Sequence, residues 1–109
     1  MKEEKRPWGL FKTFALNKKC TVKILEINKG EELSLQKHKN RKEHWYFLNE
    51  AIVQINKEKK KVKEGDLIKI SPNTAHRIIA EEKVKVIEVS FGEFDEKDEI
   101  RLEDKYGRY

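Results

Sequence analysis

Leu33-Ser34-Leu35-Gln36-Lys37-His38-Lys39-Asn40-Arg41-Lys42-Glu43-His44-Trp45 decides how this chain reads. Residues two apart on a β-strand share a face, so Gln36 and His38 project together. Lys39-Asn40 marks a short turn, and Glu43 comes back on the next strand. His76 arrives from far downstream. One amide oxygen, one carboxylate and two imidazoles form a mixed N/O set suited to a divalent metal such as zinc, manganese, iron or cobalt. The same four groups can also satisfy one another inside a barrel with no metal at all. The chain has only 3 His, and two fall in this pattern.

Outward from this stretch the chain alternates short apolar runs with turn signals. Strands are predicted over 10–15, 20–28, 33–38, 43–48, 50–57, 67–70, 75–79 and 84–91. Between them lie Asn28-Lys29-Gly30, Lys39-Asn40, Lys57 to Lys61, Glu64-Gly65-Asp66, Ser71-Pro72-Asn73 and Glu81-Glu82. Many short strands at even spacing predict an all-β sandwich or barrel. No helical period of useful length is present. The lysine run from Lys57 to Lys63 reads as an exposed hairpin, where lysine also discourages pairing between molecules. Asp95 to Tyr109 is strongly charged and reads as a short turn or helix followed by a tail.

The 109 residues suffice for one domain and one core. Residues 1–9 read as an N-terminal arm, 10–92 as the barrel and 93–109 as the charged tail. Charged residues make up 41% and hydrophobic residues 37%, yet the β-branched and aromatic alternation argues against disorder. The net charge is +5, with the basic excess confined to the first 63 residues. A positive field over a cleft would favour an anionic substrate. No recognition motif supports nucleic-acid binding. Cys20 is the only cysteine, so no internal disulfide forms and a reducing compartment is expected. No apolar run approaches a membrane span, and Met1 to Arg6 lacks a hydrophobic signal region. The expected location is the cytoplasm.

A wider pattern goes with these motifs. Gly30, Gln36, His38 and Glu43, then Gly65, Pro72 and His76, resemble the two cupin motifs, with Gln36 standing where the first motif normally has His. Arg6-Pro7-Trp8-Gly9, Leu33-Ser34-Leu35-Gln36, Glu43-His44-Trp45, His76-Arg77-Ile78, Ile87-Glu88-Val89 and Asp98-Glu99-Ile100-Arg101-Leu102-Glu103-Asp104-Lys105-Tyr106-Gly107-Arg108 extend the likeness over nearly the whole chain. Together they resemble the type II mannose-6-phosphate isomerase domain, which in many bacteria is the C-terminal part of a bifunctional isomerase and mannose-1-phosphate guanylyltransferase. Glu50 departs from the closing Gly of the first motif. Ser71 stands where Pro is usual, and Asn73 where Gly is, asparagine being the best non-Gly residue for positive φ. No Gly-rich nucleotide-binding segment precedes the motifs, so guanylyltransferase activity is not expected of these residues.

The resemblance implies a small jelly-roll β-barrel and a metal-dependent interconversion of mannose 6-phosphate and fructose 6-phosphate. Gln36, His38, Glu43 and His76 would be the ligands. Zinc is the first choice of metal, with manganese, cobalt, iron or nickel as alternatives. Lys23 shares parity with Leu25 and Ile27 and would sit on an apolar face, where lysine is costly unless used. Glu88 lies between Ile87 and Val89 and is a candidate buried base. Lys23, Glu88 and Arg108 are thus the catalytic candidates. Arg41, Arg77 and Arg101 are candidates for phosphate, which suits a planar guanidinium. Trp45, on the face of Glu43, lines the pocket or fills it, and His44 faces the other way. The expected partners are a hexose phosphate and a second copy of the chain, with Arg6 to Gly9 docking an N-terminal strand on the barrel or on that copy. A non-catalytic sugar-binding or regulatory cupin is the alternative.

Overall fold

The computed structural model describes residues 1–108. Tyr109, part of the expected tail, lies outside the described residues. Among the described residues, eleven strands run in chain order. They are β1 (Lys2–Arg6), β2 (Gly9–Thr13), β3 (Cys20–Ile27), β4 (Leu35–Lys37), β5 (Arg41–Phe47), β6 (Ala51–Ile55), β7 (Glu58–Val62), β8 (Leu67–Ile70), β9 (His76–Ile79), β10 (Val84–Gly92) and β11 (Ile100–Glu103). One 3-10 turn, Glu96–Asp98, precedes β11. Among the described residues, no helix is long and apolar enough to cross a membrane.

Two antiparallel sheets face each other, ordered β3-β10-β5-β8 and β11-β4-β9-β6-β7. Alternation explains the packing. Arg41, Glu43, Trp45 and Phe47 point inward from β5, and Val84, Val86, Glu88 and Ser90 point inward from β10. Trp45, Phe47, Val53, Ile78, Val84 and Val86 are wholly buried between the sheets. Each such side chain contributes about 1.5–3 kcal/mol on leaving water. The apolar core fills one end of the sandwich. At the other end the inward positions are Glu43, Glu88, Ser90, His38 and His76, and the site forms there.

Three strands depart from the sequence expectation. Lys2–Arg6 is β1, which pairs only with β2, and this hairpin joins neither main sheet. Glu58–Val62 is a strand where a turn was predicted; the reversal is confined to Asn56 and Lys57, with Asn56 at φ 54°. Ile100–Glu103 is β11, an edge strand paired with β4. Lys2–Arg6 and Glu58–Val62 show no apolar alternation, and in Ile100–Glu103 the alternating Ile100 and Leu102 are the exposed side chains, so each strand lies at an edge or outside the core. Asn73 takes φ 61°, as its substitution for Gly led one to expect. Gly92, at φ 104°, ends β10 where an added Cβ would lie 2.6 Å from the Asn40 carbonyl oxygen. That close approach brings the following segment, 93–99, across the open end of the sandwich.

Candidate metal centre and cleft

Sheet register builds the site. Gln36 on β4 stands opposite His76 on β9. On the facing sheet Glu43 of β5 is opposite Ser90 of β10, and Glu88 is flanked by Trp45 on β5 and Lys23 on β3. His38, Glu43 and His76 are all buried, and one ligand atom from each lies within 4.8 Å of the others. His76 Nε2 is 3.0 Å from Glu43 Oε1, and His38 Nδ1 is 3.6 Å from the same oxygen. The two rings are 5.0 Å apart.

These atoms pass a chemical test for a cation. His76 Nδ1 lies 2.7 Å from the Thr74 carbonyl oxygen, which can only accept, so Nδ1 carries the proton and Nε2 is the free nitrogen. Nε2 therefore faces a carboxylate oxygen, and neither atom has an aligned hydrogen-bond partner. Two buried acceptors face to face are costly unless a proton or a metal lies between them. Two imidazoles and a carboxylate suit a borderline divalent ion, so His38, Glu43 and His76 could hold one. Ser90 Oγ donates to the second Glu43 oxygen at 3.2 Å, and Arg41 Nε is 3.7 Å from it. Burial alone would raise the Glu43 carboxyl, but His76, His38 and Arg41 pull it down to about 2. Glu43 is thus ionised, as a metal ligand must be.

Gln36 stands beside this set with its amide end against the Glu99 carboxylate, which assigns the amide nitrogen to that side. Glu99 also salt-bridges Arg101 at 2.8 Å. Lys23, Leu25, Leu33, Gln36, Arg41 and Glu43 line a cleft of about 200 Å³ together with Glu88, Phe94, Glu96, Glu99 and Arg101. A larger concavity near Glu50 and Lys61, about 590 Å³, carries no comparable cluster and lies elsewhere. Phe94 caps the cleft, with Lys23 Nζ 4.0 Å and the Arg41 guanidinium 4.4 Å from its ring centre. Asp98 anchors this segment by accepting the backbone N–H groups of Lys39 and Asn40. These two hydrogen bonds lower its pKa.

Trp45 lies beneath the cleft rather than in it. It is wholly buried and donates its indole N–H to Glu88 Oε2 at 3.0 Å. Burial pushes the Glu88 carboxyl up to about 7, with the Glu43 charge adding to this, against the Trp45 hydrogen bond and Lys23. Trp45→Phe should therefore raise the Glu88 pKa further, because it removes a donor to the ionised form. The loss of the ring and donor should also cost about 2 kcal/mol of stability. Urea unfolding and the acid limb of any pH–rate profile check both effects.

The candidates fall into two groups. Lys23, Gln36, Arg41, Glu43, Glu88 and Arg101 meet at the cleft, with His38 and His76 buried behind it. Arg77 and Arg108 do not join them. Arg77 faces outward from β9, bound to Gln54, Glu32 and Glu103. Arg108 pairs with Asp104 at 2.9 and 3.1 Å, and Tyr106 hydrogen-bonds Glu31. The charged tail is thus tied to its own strand and to the β3–β4 connection. His44 points outward against Phe91, and burial with Lys69 and Lys42 lowers its pKa. Phe94 and Glu99 had no role in the sequence reading. Their signal was faint: both follow the last barrel strand, where no alternation marks a face.

A two-sheet antiparallel barrel with a His/Glu cluster at its open end is a cupin. The described structure resembles a double-stranded β-helix protein of Klebsiella pneumoniae, with TM-score 0.69 and 16% identity over 84% of this chain and 81% of that one. It also resembles a cupin 2 conserved barrel protein of Salinispora arenicola, with TM-score 0.62 and 14% identity over 74% of this chain and 70% of that one. Within the cupins, this chain belongs to the mannose-6-phosphate isomerase C-terminal family, whose profile matches residues 1–104. It is 36% identical to a mannose-1-phosphate guanylyltransferase of Salmonella typhimurium, covering 98% of this chain and 23% of the relative. It is 34% identical to an alginate biosynthesis protein of Pseudomonas aeruginosa, covering 94% of this chain and 22% of the relative. The chain thus spans under a quarter of the length of these relatives.

Proposed function

We propose that this chain is a metal-dependent aldose–ketose isomerase interconverting mannose 6-phosphate and fructose 6-phosphate. The observation that carries the reading is one cleft in which the Glu43 end of the metal cluster meets a carboxyl of raised pKa and two arginines. Family membership supports the same reaction. Zinc suits the donor set best, with manganese, cobalt, iron or nickel as alternatives. When bound, the ion would act as a Lewis acid toward the sugar's O1 and O2. Glu88 is the proposed base: it takes the C2 proton and returns it to C1 of the cis-enediol. Its position near neutrality suits both steps. Lys23, opposite Glu88, stabilises the negative charge that develops on the sugar oxygens. Arg41 and Arg101 hold the phosphate and so orient the sugar. Phe94 keeps water from the enediol.

The charge of the cleft links these roles. Its acidic residues Glu43, Glu96 and Glu99 already balance Lys23, Arg41 and Arg101, and Glu88 adds negative charge as it ionises. Without a bound cation the cleft carries no net positive charge to attract a phosphate dianion. Hexose phosphate binding should therefore depend on metal. The test is a coupled assay of purified, metal-loaded protein with mannose 6-phosphate, glucose 6-phosphate and free mannose. Turnover of mannose 6-phosphate, and little of free mannose, is expected. Tight binding of the sugar phosphate with no turnover would instead identify a non-catalytic sugar-binding cupin.

Self-association is part of the proposal. The β7 edge of one sheet is guarded by Lys59, Lys60 and Lys61, but β3, an edge of the other, presents Val22 and Ile24, which are 60% and 64% exposed. Trp8 is exposed at the tip of the β1–β2 hairpin. A second copy offering the same surfaces would cover this apolar edge. Light scattering at micromolar concentration should give twice the 13.0 kDa chain mass, and Ile24→Lys should shift it to monomer. A monomeric wild type would refute the pairing.

A further inference from the structure

His38 is the one member of the metal cluster whose orienting partner lies outside the barrel. His76 is fixed by the Thr74 carbonyl on its own strand's approach. Glu43 is fixed by Ser90 from the neighbouring strand. His38 comes just after β4, where the chain has already left the sheet. Its Nδ1 faces Glu43 Oε1 at 3.6 Å, and its Nε2 faces Glu99 Oε1, also at 3.6 Å. The ring is 2% exposed, so protein groups surround it.

We propose that Glu99 is a positioning residue whose carboxylate accepts from the Nε2–H of His38, which keeps the proton on Nε2 and leaves Nδ1 as the lone pair turned toward Glu43. Rested on the metal reading above, this names which imidazole nitrogen serves the cluster and what chooses it. A metal-binding histidine generally gives its other ring N–H to a carboxylate or carbonyl, which fixes both tautomer and aim. Glu99 is itself held for the task. Arg101 binds its Oε2 at 2.8 Å, and the Gln36 amide, its nitrogen assigned to the side of the carboxylate, donates to it. The residue before it, Asp98, is pinned to the backbone of Lys39 and Asn40, immediately after His38. The gap to Nε2 is just beyond hydrogen-bond length, a separation that closes as a site tightens on its ligand. On this account Gln36, at the position where a cupin normally has a ligating His, also serves to aim Glu99. The segment that covers the cleft then helps to set the metal centre, and its displacement would loosen both.

The test uses the full chain, metal-free, with 15N-labelled histidine, at a pH high enough for a neutral ring. Long-range proton–nitrogen correlation spectra distinguish the two tautomers of His38. Wild type should show the proton on Nε2. Glu99→Ala should mix the tautomers, while Glu99→Gln, whose amide oxygen still accepts, should keep the wild-type form. Cobalt(II) affinity, measured by chelator competition, should fall about 10–100-fold in Glu99→Ala and much less in Glu99→Gln. An Nδ1–H tautomer in wild type, or a Glu99→Ala variant with unchanged tautomer and affinity, would overturn the proposal. Failure of wild type to bind cobalt would sink the metal reading instead, while the tautomer spectra would still judge Glu99.

Discussion

His76→Ala is expected to strip the protein of metal and to lower kcat/KM for mannose 6-phosphate by at least about 1000-fold, some 4 kcal/mol of transition-state stabilisation. The reason is local. His76 Nε2 lies 3.0 Å from Glu43 Oε1, and its other nitrogen is already committed to Thr74. Removing the ring takes away one of three buried donors and leaves Glu43 without its nearest partner. Elemental analysis of wild type should give about one divalent metal per chain, and of the variant almost none. Circular dichroism separates this from unfolding: the variant loses the His76 packing on Trp45, but the rest of the apolar core, around Phe47 and Ile78, keeps its side chains. Full metal occupancy in a folded His76→Ala protein would remove His76 from the ligand set.

Glu88→Gln should leave metal content unchanged and reduce kcat by about 100–10,000-fold, the range for loss of a general base. Glutamine keeps the shape and can still accept the Trp45 hydrogen bond, so the effect isolates the proton-accepting step. The pH dependence has a definite sign. Glu88 must be ionised to act as base, and burial holds its carboxyl near 7. Wild-type activity should therefore rise with pH through about 7 and level off above it. The residual activity of Glu88→Gln should lack that limb. A limb that persists unchanged in the variant would assign it to another group, and a kcat within twofold of wild type would exclude Glu88 as the base.

Much of this site was legible because strand parity is a strong constraint. Glu43, Glu88 and Lys23 face inward as their neighbours' alternation required, and His44 faces out against Phe91. The same rule, applied to Arg77, would have set it outward, since His76 beside it faces in. Leu67–Ile70 matched its expected bounds because turn residues close it on both sides. The β7 and β11 strands were illegible for a different reason. Their backbone hydrogen bonds come from β6 and β4, while their side chains remain largely in solvent, so β7 carries no apolar period and the two apolar residues of the short β11, Ile100 and Leu102, mark no buried face. Trp45 was placed on the correct face, but parity cannot tell a wall of the cleft from a floor beneath it. Only the packing of Trp45 against His76 and its bond to Glu88 does so. Arg108 lies at i+4 from Asp104, and that local pair holds it away from the cleft.

The account rests on one cleft performing one proton transfer with a bound cation, and a single experiment addresses it directly. Mannose 6-phosphate is incubated with the metal-loaded protein, with chelator-stripped protein, and with stripped protein to which metal is returned, and the sugar phosphates are followed by NMR in deuterated water. The account predicts fructose 6-phosphate in the first and third samples, with deuterium entering at the transferred position to the extent that the Glu88 proton exchanges, and unchanged substrate in the second. Formation of fructose 6-phosphate at the same rate in all three samples, or in none of them despite full metal loading, would contradict it.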